Sequence, residues 1–178
     1  MGPLTKDIMR KALGRLDELL PNSVTLIMGG GGAMILAHGF PLGTTDIDAI
    51  PKGMDTAELD VLTRQIAQEQ KLVSDWLNPY FSTFAFTLPS DYGDRLVEVF
   101  RGKHLAVQAL GREEMLIMKC FAHRPKDVGH AKALLKKGAN VTKVEAHIET
   151  LLKRGIPGSQ AALDFLQDVV EQQEESPR

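Results

Sequence analysis

The sequence predicts an α+β protein, a small mixed sheet flanked by helices and continued by a helical C-terminal extension. Three observations carry this. Short β-branched runs alternate with amphipathic helical stretches up to about Lys71. Segments of period two follow between Trp76 and Gly111. Beyond Gly111 the pattern is helical to the end.

Residues 5–20 set Ile8, Ala12, Leu16, Leu19 and Leu20 at helical spacing, and Pro21 ends that first helix. VTLIM (24–28) is a strand, stopped by Gly29 to Gly32, after which AMILAHGF reads as a short helix. TTDIDAIP (44–51) alternates Asp46 and Asp48 with Ile47 and Ala49 and reads as a strand closed by Pro51 and Gly53. From Asp55, an N-cap candidate, to Lys71, the spacing of Leu59, Leu62 and Ile66 predicts a second long helix. FSTFAFTL (81–88), DRLVEVF (94–100) and HLAVQAL (104–110) read as consecutive antiparallel strands joined by short loops.

After Gly111, REEMLIMKCFAHR forms one helix, Pro125 restarts a second, Thr142 caps a third and Pro157 opens a fourth. This divides the chain into a core over 1–110, a helical part over 111–173 packed on it, and a loose tail over 174–178.

Composition bounds the function. The chain has 178 residues, with 21 Lys plus Arg against 23 Asp plus Glu, a formal net charge of −2. A protein that coats duplex DNA carries a basic stripe, so duplex DNA is not an expected partner. The single cysteine, Cys120, forms no internal disulfide. No apolar stretch of 18 residues and no signal-type h-region occur, so neither a membrane partner nor export is expected and a cytoplasmic location is.

The chemistry concentrates where the glycine run meets Asp46-Ile47-Asp48. Alternation puts both carboxylates on one strand face, roughly 6.5 Å apart at Cα. Their repulsion is relieved by a divalent cation, and Mg²⁺ prefers one or two carboxylates completed by phosphate oxygens and water. Glycines let backbone N–H groups approach phosphate, so Gly30 and Gly31 would hold a nucleoside triphosphate beside a cation on Asp46 and Asp48. The bland alternative is a tight turn next to a solvated strand face.

Lys119, the one charge in MLIMKCFA, either snorkels or faces a polar cleft, and the cleft is the expectation. Asp127 either caps the Pro125 helix or acts chemically. His123, Asp127 and His130 invite a metal reading that Pro125 interrupts. Trp76, Tyr80, Phe81, Phe84 and Phe86 read as core rather than as a base-stacking platform. A P-loop is excluded because Ala33-Met34 follows the glycines where Lys-Ser/Thr is needed.

The run MGGGGAMILAHGFPLGTTDIDAI resembles the signature of the nucleotidyltransferase superfamily, the DNA polymerase β-like fold. More narrowly, it is similar to bacterial nucleotidyltransferase-like proteins related to the AbiEii toxins of toxin–antitoxin systems. Those carry a later helix with a lysine followed by an Arg-x-Lys-Asp element. Here that is LIMKCFAHRPKDVGHAKALL, with Lys119, Arg124, Lys126 and Asp127. The likeness spans about residues 24–137, with glycine where a serine is familiar and Leu42 where a basic residue is often found.

The resemblance implies a minimal nucleotidyltransferase fold whose catalytic residues are Asp46, Asp48, Glu98, Lys119 and Asp127. It implies Mg²⁺ or Mn²⁺ on Asp46, Asp48 and Glu98, the last as third acid and base. Gly30, Gly31, Thr44 and Lys119 would bind the triphosphate. The implied acceptor is a hydroxyl of an RNA or tRNA 3′ end or of a protein, with an antitoxin as partner. The alternative is a degenerate domain that binds nucleotide or protein without catalysis.

Overall fold

The computed structural model describes residues 2–41, 43–79 and 85–175. The chain divides into two compact units, Met1–Thr83 with Arg95–Leu110, and Phe84–Asp94 with Gly111–Arg178.

The first unit is a five-stranded mixed sheet with three helices. Helix α1 (Lys6–Leu19) is capped by the Thr5 hydroxyl and buries Met9, Ala12, Leu13 and Leu16. The buried stripe is therefore centred one position away from the face expected from the spacing, and Ile8 and Leu19 lie at its margins. Strand β1 (Val24–Met28) leads through Gly29 into helix α2 (Gly30–Leu36), so the glycines form the first turn of that helix. Strand β2 (Ile47–Lys52) starts later than expected, with Thr44 only bridging to Leu4. Pro51 lies inside β2 instead of closing it. Among the described residues, Ile47 and Asp48 are the ones that pair outward, and none pairs with Pro51 on that side, where its missing N–H costs no ladder bond. Helix α3 (Thr56–Gln70) starts at Asp55, whose carboxylate accepts the Ala57 N–H at 2.7 Å, as expected for that cap.

Three strands complete the sheet: β3 (Leu77–Asn78), β4 (Val97–Arg101) and β5 (Leu105–Ala109). The order is β3-β2-β1-β5-β4. β1 runs antiparallel to β2 and parallel to β5, β2 runs parallel to β3, and β4 runs antiparallel to β5. One face carries Leu26, Met28, Ile47, Ala49, Leu105, Val107 and Ala109, all buried. The other carries Asp48, Ile50, Ile27, Gln108 and Glu98 and is the more open one. Asp17 of α1 ties the β4–β5 turn down, accepting N–H groups of Lys103, His104 and Leu105 at 2.9, 2.7 and 2.7 Å. Burial works to raise the Asp17 carboxyl, but the three donors hold it below the ordinary carboxylate value.

The expected strand over 81–88 is not found where it can be seen. Residues 81–84, with Phe81 and Phe84, lie outside the described residues, as does Tyr80, and 85–87 make a 3-10 turn. Leu88 donates to Ala85 to close that turn, and Pro89 next along lacks the donor a strand would need. The expected start of the next strand at Asp94 is likewise a 3-10 turn, Tyr92–Arg95.

The second unit is built around α4 (Arg112–Ala122), which packs against α5 (Pro125–Lys136), α6 (Val141–Lys153) and α7 (Ser159–Glu174). Pro125 sits at the first position of α5, where its missing N–H is harmless. Thr142 does not cap α6. Asn140 does, accepting the Lys143 N–H at 3.0 Å, because a side chain at the cap reaches the third N–H inward and Thr142 already lies inside the helix. Similarly α7 begins after Gly158, whose positive φ of 82° makes the turn, and not at Pro157. Glu174 is helical and not part of a tail, while 176–178 lie outside the described residues.

Candidate active site

The glycine run and the Asp-x-Asp segment meet through the backbone of β1 and β2. At the end of β1 the Gly29 N–H donates to the Asp48 carbonyl at 2.9 Å, and the chain turns into α2. Gly30 takes φ +58°, and a Cβ there would stand 2.1 Å from Asp48 Oδ2. A Cβ on Gly31 would stand 2.3 Å from the Thr44 hydroxyl. Both positions therefore require glycine, the first for conformation and space, the second for space alone. The N–H groups of a helix's first turn have no acceptor within the helix. Here that turn lies directly against a carboxylate and a hydroxyl.

Asp46 and Asp48 are both half-buried. Thr45 Oγ1 donates to Asp46 Oδ1 at 3.0 Å, and Asn78 Nδ2 donates to Asp48 Oδ1 at 3.1 Å. Among the described residues, no lysine or arginine makes an ion pair with Asp46. Beside Asp46 opens a cleft of about 650 Å³, with Leu4 and Ile8 in its wall and Lys11, Lys71 and Asp75 among its polar groups.

Asn78 was not legible as a site residue. Its strand is two residues long, too short for a period, and only the pairing of Asn78 with Asp48 across β3 and β2 reveals it.

Glu98 is not brought to this pair. It lies on β4, separated from β2 by β5 and β1, three strand spacings or about 14 Å laterally. Two carboxylates that far apart cannot share a cation bound at about 2.1 Å. Glu98 is exposed and ion-paired with Arg101. A register shift between Glu98 and Phe100 turns Phe100 toward the buried face with Val107, while Glu98 stays opposite Gln108 on the more open face. Among the described residues, no group of three or more His, Cys, Asp or Glu side chains is placed to hold a metal ion. The His123, Asp127, His130 set is accordingly not a metal centre.

Lys119 and Asp127 belong to the second unit, and they meet each other. Lys119 Nζ donates to Asp127 Oδ1 at 3.0 Å, with side-chain exposures of 5% and 0%, so the lysine is buried in a pair and does not snorkel. Asp127 Oδ2 also accepts the Arg124 backbone N–H at 3.2 Å and its Nε at 2.8 Å, which makes Asp127 the capping carboxylate of α5. Burial works to raise the Asp127 carboxyl, yet Arg124 and Lys119 hold it below the ordinary range. Burial takes Lys119 below the ordinary lysine value, opposed by Asp127. Burial, with the Lys119 charge next, pushes the neighbouring His130 down to about 4. Cys120 is buried, and its thiol is pushed up to about 12, which removes it as a nucleophile. Of the aromatic residues, Trp76 is core, fully buried with its indole N–H on the Thr63 carbonyl at 2.9 Å, while Phe86 is exposed.

A glycine turn abutting an Asp-x-Asp strand on a small mixed sheet is matched by a family model over residues 9–162, described as "Nucleotidyltransferase of unknown function (DUF6036)". The chain belongs to this nucleotidyltransferase family. The match runs through both units of the chain, so the α4–α5 corner with Lys119 and Asp127 is as much a part of the family's extent as the glycine turn. No curated protein and no solved structure matches the chain. Among the described residues, no helix is long and apolar enough to cross a membrane.

Proposed function

We propose that the protein transfers a nucleotidyl group from a nucleoside triphosphate to a hydroxyl acceptor, with Asp46 and Asp48 holding Mg²⁺ or Mn²⁺. The observation that carries this is the contact at Gly30 and Gly31, where any Cβ would fill the space between the helix-α2 backbone and Asp48 or Thr44. Glycine backbone pressed against the Asp48 carboxylate and the Thr44 hydroxyl brings the first turn of α2 beside two half-buried carboxylates, which fits a cation shared with phosphate oxygens. The bound cation supplies charge neutralisation to the triphosphate and to the attacking and leaving oxygens.

In this reading the N–H groups of Gly30 and Gly31 donate to phosphate oxygens and Thr44 Oγ1 adds a side-chain donor. Thr45 and Asn78 hold the carboxylates in orientation. The acceptor oxygen bonds to the α-phosphorus as the phosphorus–oxygen bond to the departing pyrophosphate breaks, and the hydroxyl proton passes to solvent water. Glu98 is too distant from Asp48 to be the base for that proton while it ligates the same cation. The family resemblance favours an RNA or tRNA 3′ end or a protein hydroxyl as acceptor, a cytoplasmic toxin role and an antitoxin partner. Glycine in place of the familiar serine, together with the remoteness of Glu98, favours a second reading in which the domain binds nucleotide without transferring it.

Calorimetric titration with each of the four nucleoside triphosphates, with and without Mg²⁺, tests the proposal alongside an Asp46→Asn, Asp48→Asn double variant. Metal-dependent binding lost in the variant, followed by transfer of label from triphosphate to RNA or protein, is the expected outcome. Binding without transfer favours the second reading. A well-folded wild type that binds no triphosphate would overturn both.

A further inference from the structure

The two aspartates of the pair have different surroundings. Asp48 lies against the glycine turn, whereas Asp46 forms part of the wall of the cleft of about 650 Å³. That cleft is built within the first unit, from Ile8 and Lys11 of α1 and from Lys71, Leu72 and Val73 at the end of α3. Ile8, Leu72 and Val73 are only partly covered by the chain, and Lys11 and Lys71 are exposed. Among the described residues, neither lysine makes an ion pair. Lys71 also has an uncommon backbone. It ends α3 in the left-handed region, at φ +55° and ψ 45°, and the Leu72 N–H closes on the Ala67 carbonyl at 2.9 Å. Glycine or asparagine fits such a helix end with little strain, so the turn by itself does not call for a lysine. What the lysine adds is a cation on the wall of the cleft that Asp46 shares.

We infer that this cleft is the subsite of the second reactant and takes a phosphorylated nucleoside with a free hydroxyl, either a free nucleotide or the last nucleotide of a polynucleotide. The inference rests on the reading above, in which triphosphate and cation meet at the glycine turn. In-line displacement brings the attacking oxygen to phosphorus from the side opposite the departing pyrophosphate. With the phosphates at the Asp48 end of the pair, the Asp46 end and its cleft are left for the attacking hydroxyl. The lining matches a nucleotide in two respects. Partly covered aliphatic side chains offer apolar surface to the face of a base, and two lysines answer its phosphate. Asp75 is the acid that the same wall sets against them, and with Asp46 neutralised by a cation the balance is positive. A serine or threonine of a protein acceptor would leave both lysines without a counter-charge.

The test uses the full chain with Mg²⁺, a saturating non-hydrolysable triphosphate analogue and short 5′-labelled oligoribonucleotides with a free 3′-hydroxyl, followed by fluorescence anisotropy. Wild type is expected to bind the oligonucleotide while the analogue is bound. Lys71→Gly is expected to raise the melting temperature by about 2–4 °C, because it relieves the left-handed lysine. The same variant is expected to weaken oligonucleotide binding on the order of tenfold. It should also make the log–log salt dependence shallower by about 0.7. A residue with a merely structural role would not give better folding together with weaker binding. Lys11→Gln is expected to weaken binding in the same direction. Displacement of the label by nucleoside 5′-monophosphates would assign the cleft to free nucleotides, and displacement by unlabelled oligonucleotide alone would assign it to a polynucleotide end. Three results would overturn the inference alone: a wild type that binds triphosphate but neither probe, a Lys71→Gly protein that binds as tightly as wild type, or a probe that the triphosphate analogue displaces. A wild type that binds no triphosphate would instead overturn the reading above, and the inference with it.

Discussion

Asp48 and Asp127 are both aspartates drawn out of bulk water, and they are treated in opposite ways. Asp127 in the second unit is completely buried and receives two cations, Lys119 and Arg124, as well as a backbone N–H. Its charge is answered within the chain. Asp48 in the first unit is half-buried, takes a neutral amide from Asn78, and faces a turn kept bare by glycine. The contrast separates a carboxylate that holds a helix corner together from one that, in the proposed function, meets a cation brought from outside. Position in a family motif does not make that distinction, since both aspartates lie in motifs.

The sharpest way to break the comparison is to remove each carboxylate in turn. Asp127→Ala leaves Lys119 charged and buried, and is expected to cost about 3–5 kcal/mol in urea unfolding. Asp48→Ala should change stability by less than about 1 kcal/mol, because its carboxylate is only half-buried. Equal losses would erase the distinction.

The next effect is one of pH. His130 has its folded value lowered to about 4 from 6.5, so the unfolded chain takes up a proton first as pH falls. The His130 contribution is therefore complete above about pH 6.5 and is lost as pH falls toward 4, a change on the order of 3 kcal/mol. The Asp127 contribution adds to the loss at still lower pH, its folded value being depressed. Urea midpoints measured across pH 7 to 4 should fall, and His130→Gln should flatten that slope.

The smallest effect is expected far from either carboxylate. Gly14 lies within α1, and a Cβ there meets nothing within 4 Å. Gly14→Ala should raise the melting temperature through about 0.5–1 kcal/mol of helix stabilisation. Nucleotide binding should stay as it was.

Much of this was legible in the sequence, for identifiable reasons. The cap at Asp55 and the restart at Pro125 depend on neighbours within four residues, and such local signals are written in the chain. The meeting of Gly30 with Asp48 was legible because β1 and β2 are adjacent and antiparallel, the simplest arrangement two successive strands can take. What failed depended on partners distant in sequence. Glu98 looked like a third acid because it is an acidic residue in a strand, but the strand order that removes it from Asp48 is not encoded in any window around residue 98. Asn78 was invisible because two residues carry no period. Lys119 was expected to face a polar cleft, yet it is buried against Asp127, since nothing in MLIMKCFA says which polar group eight residues later will turn back to meet it.

The parallel pairing of β1 with β5 has a consequence for how the protein is made. Val24 emerges early in synthesis, while its partner Leu105 follows only after β2, α3 and β3. Until then the strand that supports the glycine turn can pair with β2 but keeps an unsatisfied edge, the kind that other chains can add to. Closing so distant a pairing is slow compared with forming a hairpin. A nascent chain that stops short of residue 109 would already hold Gly30 and Asp48, yet would present them on a half-finished sheet. The last strand of the sheet in chain order thus completes the support under the glycine turn.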